Sequence, residues 1–331
     1  MRVLVTGGCG FIGAACVRAL VDRGDRVLNI DRRRRTAAVP ALSTITGREG
    51  YARLEMDIAD RALMRAIFRE FKPDVVMHLA AGEGADPDGL FHSDLSGAFA
   101  ILEACRDHVG RLDTQGRDAF RLIHALHAPG LESDTGEISI PTPAEASRAA
   151  AASLIENWSQ AHGLPLVSCV AGNVFGPWQS DDAFLPRLVA DLFAGRPVTL
   201  THGGATVRDW LPLKDFASGL IAAFGAEPGS RYEFSVGAER GDIDLSEAIC
   251  ALLDHRAPLD GVTSRVDLIR TVGDAAHASP GPMLDSSSTE HDLGWSPLGF
   301  HAGLDRLLSW AADRAVPAVR PAAVTIAIAA E

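Results

Sequence analysis

Gly7, Gly10 and Gly13 recur at every third residue of Thr6-Gly7-Gly8-Cys9-Gly10-Phe11-Ile12-Gly13, directly after the apolar run Val3-Leu4-Val5. That spacing suits the holding of a pyrophosphate by main chain. The first glycine allows a tight turn out of a strand, the second lets backbone approach the phosphates, and the third lets the next helix pack close to the sheet. A helix opening at Phe11 and Ile12 then offers free N–H groups and the positive end of its dipole to the anion. Asp31 closes the next apolar stretch, about 20 residues further on, where a carboxylate accepts both hydroxyls of an adenosine ribose and favours NAD. Arg32 and Arg33 follow at once and could meet the 2′-phosphate of NADP, which Asp31 would repel. NAD is therefore expected, with NADP left open; Arg34 and Arg35 read as a solvated loop.

These residues need a sheet to hold them. Strand patterns at Val3–Thr6, Arg26–Ile30, Val75–Leu79, Leu122–Leu126 and Leu166–Val170 alternate with helix patterns at Phe11–Arg23, Ala62–Phe71, Ser96–Arg106 and Ser147–Ala161. Leu95, Phe99, Leu102 and Cys105 fall on one face of the third helix. The alternation predicts an α/β fold with a Rossmann-type, doubly wound parallel sheet. From Asn173 onward the rhythm is broken by GPW, GRP, THGG, EPGS and ASPGP. Residues 1–172 are thus expected to form a dinucleotide-binding domain. Residues 173–331 are expected to form mainly a smaller C-terminal substrate lobe, with segments returning to the first domain.

The bulk properties narrow the function classes. The chain has 331 residues, 47% of them apolar, and a formal net charge of -12. An acidic chain gains nothing from a nucleic-acid backbone, so a nucleic-acid partner is not expected. The five cysteines, Cys9, Cys16, Cys105, Cys169 and Cys250, show no CxxC spacing, which argues against a disulfide framework or a metal site and fits a reducing cytoplasm. No leader pattern precedes the first strand, and no window approaches the ~18 apolar residues of a membrane span. Trp178, Trp210 and Trp295 read as packing residues, and His124 as a residue packed in its strand.

Further motifs carry a family resemblance: Asp57-Ile58, HLAA at His78–Ala81, GAFAILEACR at Gly97–Arg106, GLP at Gly163–Pro165, NVFGPWQ at Asn173–Gln179, VRDWL at Val207–Leu211 and DLGWSP at Asp292–Pro297. With the glycine loop and Asp31 they resemble an extended short-chain dehydrogenase/reductase of the NAD-dependent epimerase/dehydratase family, most of all the dTDP-glucose 4,6-dehydratases. The resemblance spans nearly the whole chain. It implies that Asp57 and Ile58 border the adenine, that Ala80 and Ala81 line the dinucleotide, that Asn173 faces the substrate or nicotinamide end, and that Arg208 meets a substrate pyrophosphate. It also implies a homodimer through the Ser96–Arg106 and Ser147–Ala161 helices.

The chain departs from that family where hydride chemistry resides. The family carries Tyr-x-x-x-Lys, whose tyrosinate removes a hydroxyl proton as hydride leaves. This chain has two tyrosines, Tyr51 and Tyr232, followed four residues on by Glu55 and Val236; its lysines are Lys72 and Lys214. Counting back from GLP places Ala144 at the tyrosine position and Arg148, which could still hold a ribose hydroxyl, at the lysine position. The Thr-Asp-Glu run of the dehydratases is replaced by His127, Ala128 and Pro129. The arginine expected before Asp285 is missing from SPGPMLD, and Asp94 stands at an asparagine position.

The remaining acid–base candidates are His127 at a strand end, Glu83 in the loop after HLAA, and Asp94 on the nicotinamide side. Three readings follow. The protein is a repurposed enzyme performing a redox-neutral elimination, isomerisation or cyclisation on a small metabolite of specialised metabolism, with NAD retained and not necessarily turned over. Alternatively it is a non-catalytic dinucleotide-binding partner or sensor. The third reading is a surviving NAD-dependent sugar dehydratase or epimerase with an unusual acid or base.

Overall fold

The computed structural model describes residues 1–32, 38–82, 86–127, 142–275 and 283–315. Glu83 lies outside the described residues, as do Ala128 and Pro129. In chain order the regular elements are β1 (Arg2–Thr6), α1 (Phe11–Asp22), β2 (Arg26–Asp31), β3 (Tyr51–Glu55), α2 (Arg61–Phe71), β4 (Val75–His78), α3 (Pro87–Phe91), α4 (Gly97–Val109), α5 (Thr114–Ala119), β5 (Arg121–His127), α6 (Pro143–His162), β6 (Leu166–Ala171), β7 (Asn173–Phe175), α7 (Phe184–Phe193), β8 (Val198–Leu200), β9 (Val207–Pro212), α8 (Leu213–Ala222), β10 (Arg231–Phe234), β11 (Glu239–Gly241), α9 (Asp242–Arg256), β12 (Ile269–Thr271), α10 (Ser287–Leu293) and α11 (Phe300–Ala315).

Seven parallel strands form the main sheet in the order β3-β2-β1-β4-β5-β6-β10. Helices cover both faces, which is why the central strands read as continuous apolar runs rather than alternating ones. Val3 and Val5 face α1 and α8, together with Val17, Leu20, Phe216 and Leu220. Leu4, Val76, Leu122 and Leu166 face α2, α4 and α6, together with Phe68, Ile101, Leu102 and Ile155. The strand order reverses between β1 and β4, so a crevice opens there at the carboxyl ends of the strands.

The smaller lobe holds a three-stranded sheet, β11-β9-β7, and a β8–β12 pair. Its core is built by α7, α9 and α11 around Phe175, Trp210, Ile249 and Leu307. Chain from this half returns to the first: β10 pairs with β6, and α10 packs on β10. Trp295 donates its indole N–H to the Asp215 carbonyl at 3.0 Å, which ties the stretch after α10 onto α8. Trp210 and Trp295 are buried and Trp178 packs edge-on against Trp310, so all three serve packing.

Three local features differ from the sequence expectation. The edge strand β3 has only the weakly alternating YARLE pattern and is half exposed, so periodicity does not reveal it. Helix α6 begins at Pro143, one turn before Ser147. Thr142 accepts from the Glu145 N–H while the Glu145 carboxylate accepts from the Thr142 N–H, a capping box with proline in the first turn. A π-helical turn, His92–Ser96, precedes α4, a distortion that often marks functional positions.

Candidate functional site

The glycine loop leaves β1 and enters α1 with little room to spare. Gly7 has φ of +74°, and a Cβ there would stand 2.6 Å from the Ala80 nitrogen. A Cβ on Gly13 would overlap the Gly7 carbonyl oxygen, so the first turn of α1 lies directly on the loop. Gly10 is the N-cap of α1, where no side chain caps the helix and no acid stands in the first turn. The N–H groups of that turn therefore remain available to an anion. Asp31 ends β2 and accepts from the Cys9 N–H at 2.9 Å, which fixes its carboxylate at the rim of the loop.

One cleft gathers almost every residue named as cofactor-binding. It is lined by Gly7, Gly10, Phe11, Ile12, Gly13, Asp31, Arg32, Asp57, Ile58, Ala80 and Ala81, joined by Ile30, Met56, Leu79 and Ser93. Leu79 serves this wall because β4 stops at His78, one residue short of the sequence expectation. Asp57 is a junction. One carboxylate oxygen accepts from the Ala59 N–H at 2.9 Å. The other lies 3.1 Å from His92 Nε2 and 3.8 Å from Arg32 Nη1. Sequence reasoning missed His92, since nothing in its neighbours signals that the π turn brings it to Asp57.

At the far end of the cleft, Gly82 is held from both sides. Its N–H donates to Asp94 Oδ1, and its carbonyl accepts from Arg148 Nη2 at 3.4 Å. Arg148 thus reaches the wall formed by Ala80 and Ala81 from one turn into α6. Asp94 is 4% exposed, and its second oxygen is buried without a hydrogen-bond partner among the described residues. Ala144 is the second residue of α6 and half-buried. His127 ends β5 beside Ala171 of β6, at the carboxyl edge of the sheet where this fold places its chemistry.

The tyrosines stand elsewhere. The Tyr51 hydroxyl accepts from the Asn29 amide at 3.2 Å under the edge of the sheet, and Tyr232 is buried in the core on β10. Lys72 caps the end of α2, and Lys214 is exposed on α8.

Beneath the cleft, Thr6, His78, His124 and Ser168 form a polar row across adjacent strands. Thr6 Oγ1 and His78 Nδ1 are 2.8 Å apart, and the His78 and His124 rings stack with centroids at 5.5 Å. Burial drives the His78 imidazole down to about 3, with His124 adding to it. Burial drives His124 to about 4, against the opposing hydrogen bond that its Nδ1 donates to the His78 carbonyl. Both are neutral near neutral pH and belong to the sheet.

Asn173 and Arg208 both lie on the small lobe. Asn173 pairs with Trp210 across β7 and β9, and Trp210 alternates with Arg208, so all three share one face of that sheet. Arg208 donates to both oxygens of the buried Asp242 at 3.0 and 3.3 Å. Asp209, on the opposite face, is 1% exposed, and burial pushes its carboxyl up to about 6. The Ser235 hydroxyl and the Ala238 N–H pull the other way and only partly offset burial. Among the described residues, no cluster of His, Cys, Asp or Glu could hold a metal ion, and no helix is long and apolar enough to cross a membrane.

Residues 3–237 match the NAD dependent epimerase/dehydratase family, and the chain belongs to it. It is 32% identical over 332 aligned residues to a dTDP-glucose 4,6-dehydratase of Neisseria gonorrhoeae, covering 94% of this chain and 96% of that protein. It is 30% identical to one from Escherichia coli, covering 94% and 93%. Among solved structures it resembles a dTDP-glucose 4,6-dehydratase of Streptomyces venezuelae with NAD bound, at a TM-score of 0.76 and 25% identity, covering 95% and 97% of the two chains. It also resembles a UDP-glucose 4-epimerase of Thermus thermophilus in complex with NAD, at a TM-score of 0.73 and 25% identity, covering 96% and 100%.

Proposed function

We propose that the cleft binds NAD and that the protein performs a redox-neutral acid–base step, an elimination, isomerisation or cyclisation, on a small metabolite. The observation that carries this reading is the side chain at the tyrosine position. Ala144 cannot move a proton, and both tyrosines of the chain are engaged away from the cleft.

The residues present fit the dinucleotide. The uncapped start of α1 would take the pyrophosphate, Asp31 the adenosine ribose, Asp57 and Ile58 the adenine edge, and Arg148 the region of the second ribose. NAD supplies a hydride-accepting nicotinamide when bound. The protein's own acid–base groups are a different set. Asp94 carries a buried carboxylate oxygen with no hydrogen-bond partner among the described residues, and its other oxygen is anchored on Gly82. His127 stands at the carboxyl end of β5, and Glu83 completes the proposed set. Asn173 and Arg208 orient the substrate from the small lobe. A homodimer through α4 and α6 belongs to the same proposal; the outer stripe of α6, with Ala146, Ala149 and Ala150 exposed, is small enough for close helix packing.

Two linked measurements test this. Calorimetric titration with NAD, NADH, NADP and NADPH is expected to show preferential NAD(H) binding, weakened about tenfold or more by Asp31→Ala; no binding of any of the four refutes the cofactor assignment. The NAD-loaded protein is then incubated in deuterated water with nucleotide sugars and phosphorylated metabolites. Deuterium should enter the product while the nicotinamide stays in one oxidation state. Asp94→Asn and His127→Ala should each slow that exchange by about 10²–10⁴-fold. Product that forms only with transient NADH assigns the protein to hydride chemistry instead.

A further inference from the structure

A second cavity, of about 410 Å³, lies on the α1 side of the main sheet at its β3 edge and shares no lining residue with the dinucleotide cleft. A short 3₁₀ turn, Val39–Leu42, forms one wall with Val39, Pro40 and Leu42, and Tyr51 and Arg53 of β3 form the other. The wall hydroxyls are committed to their own turn: Ser43 donates to the Pro40 carbonyl at 2.8 Å, and Thr46 to that of Leu42 at 3.0 Å. The polar side chains that the cavity presents are therefore the Tyr51 phenol and the Arg53 guanidinium, two residues apart on one face of the strand. The Tyr51 oxygen accepts from Asn29 Nδ2 at 3.2 Å, and its own proton meets no acceptor among the described residues. Burial raises this phenol, so it remains a donor.

Cavities of this size, with apolar walls and a few polar groups, take small organic molecules. We propose that this one is an effector site for a small monocarboxylate with an apolar, ring-sized body, received by the Tyr51 hydroxyl and the Arg53 guanidinium. A carboxylate accepts from both donors, while its body lies between the Tyr51 ring and Val39, Pro40 and Leu42. A dianion is disfavoured, because Asp31 and Glu55 come next along the same face of β2 and β3. Asn29 connects the site to the glycine loop. This fully buried amide reaches Tyr51 on one side and Cys9 Sγ, at 3.7 Å, on the other, and it lies directly beneath Gly8. The Cys9 N–H in turn holds Asp31, the carboxylate assigned to the adenosine ribose. A ligand that takes the Tyr51 proton thus polarises the network supporting that contact. The coupling rests on the NAD binding proposed above; occupation of the cavity does not.

The test titrates the full-length protein, with and without saturating NAD, with para-fluorophenylacetate and with the neutral para-fluorophenethyl alcohol, followed by fluorine NMR and calorimetry. The carboxylate should bind at one site in both states, and the alcohol about tenfold more weakly. Arg53→Gln and Tyr51→Phe should each weaken the carboxylate by about fivefold or more. Leu42→Trp, which fills the cavity, should abolish its binding. Saturating carboxylate should shift the NAD dissociation constant by about twofold or more, and NAD should shift that of the carboxylate by the same factor. Tyr51→Phe should remove this linkage. The site is refuted if the wild type binds no carboxylate, if the alcohol binds as well, or if Arg53→Gln and Leu42→Trp, folded by circular dichroism, bind as the wild type does. An NAD affinity unmoved by the carboxylate refutes the effector role. Should NAD itself fail to bind, the proposed function and the coupling fall together, and the site is judged by the carboxylate titration alone.

Discussion

At the scale of single residues, chemistry in this protein is set by which side chains are buried and which of those are satisfied. Asp209 is the clearest case of an unfavourable one. Its carboxyl is raised from 3.8 to about 6 by burial, so ionisation favours the unfolded chain. Stability from this group is fullest below its unfolded value and is lost as pH rises through about 6. Asp209→Asn is therefore expected to stabilise the protein at about pH 8 by on the order of 1–3 kcal/mol and to change little at about pH 4. Denaturant unfolding at the two pH values checks this, and equal effects at both would contradict the assignment. The glycines show how far residue types alone carry. Gly7 and Gly13 were readable from spacing, and the structure gives the reason: a methyl at either meets backbone. His92 is not readable, because its partner Asp57 is brought to it by a π turn, which leaves no periodic signature.

At the scale of elements, the parallel sheet fixes a polar row through its middle. Thr6, His78, His124 and Ser168 fall in register on neighbouring strands, and burial keeps both imidazoles uncharged. A histidine whose folded value is depressed contributes stability that is present above about 6.5 and is lost as pH falls toward about 4 for His124 and about 3 for His78. Going from neutrality to about pH 5 should cost roughly 2 kcal/mol through His124 alone. Thermal unfolding followed across that range should fall more steeply for the wild type than for His124→Gln; parallel curves would contradict it. Element existence was legible wherever an apolar run or a full helical face spans the segment, as in β1, α1 and β6. Boundaries slipped where local chemistry overrides periodicity: the capping box at Thr142 and Glu145 starts α6 a turn early, and β3 sits half exposed at an edge where alternation is weak.

At the scale of the whole molecule, the strand reversal between β1 and β4 opens a cleft, and a separate three-stranded sheet carries Asn173 and Arg208. The class of fold and the glycine loop could be read from sequence because both depend on short local patterns. The pairing of Arg208 with Asp242, or of Gly82 with Asp94 and Arg148, depends on contacts between distant segments. Central to the proposed function is that the dinucleotide cleft is kept while Ala144 stands at the tyrosine position. The most direct test is rapid mixing of the NAD-loaded protein with dTDP-glucose, the substrate its relatives are named for, while the nicotinamide absorbance is followed. A flat trace and no dehydrated sugar are expected. A rise in reduced nicotinamide, or turnover of dTDP-glucose, would show that hydride chemistry persists without the tyrosine and would contradict the proposed function.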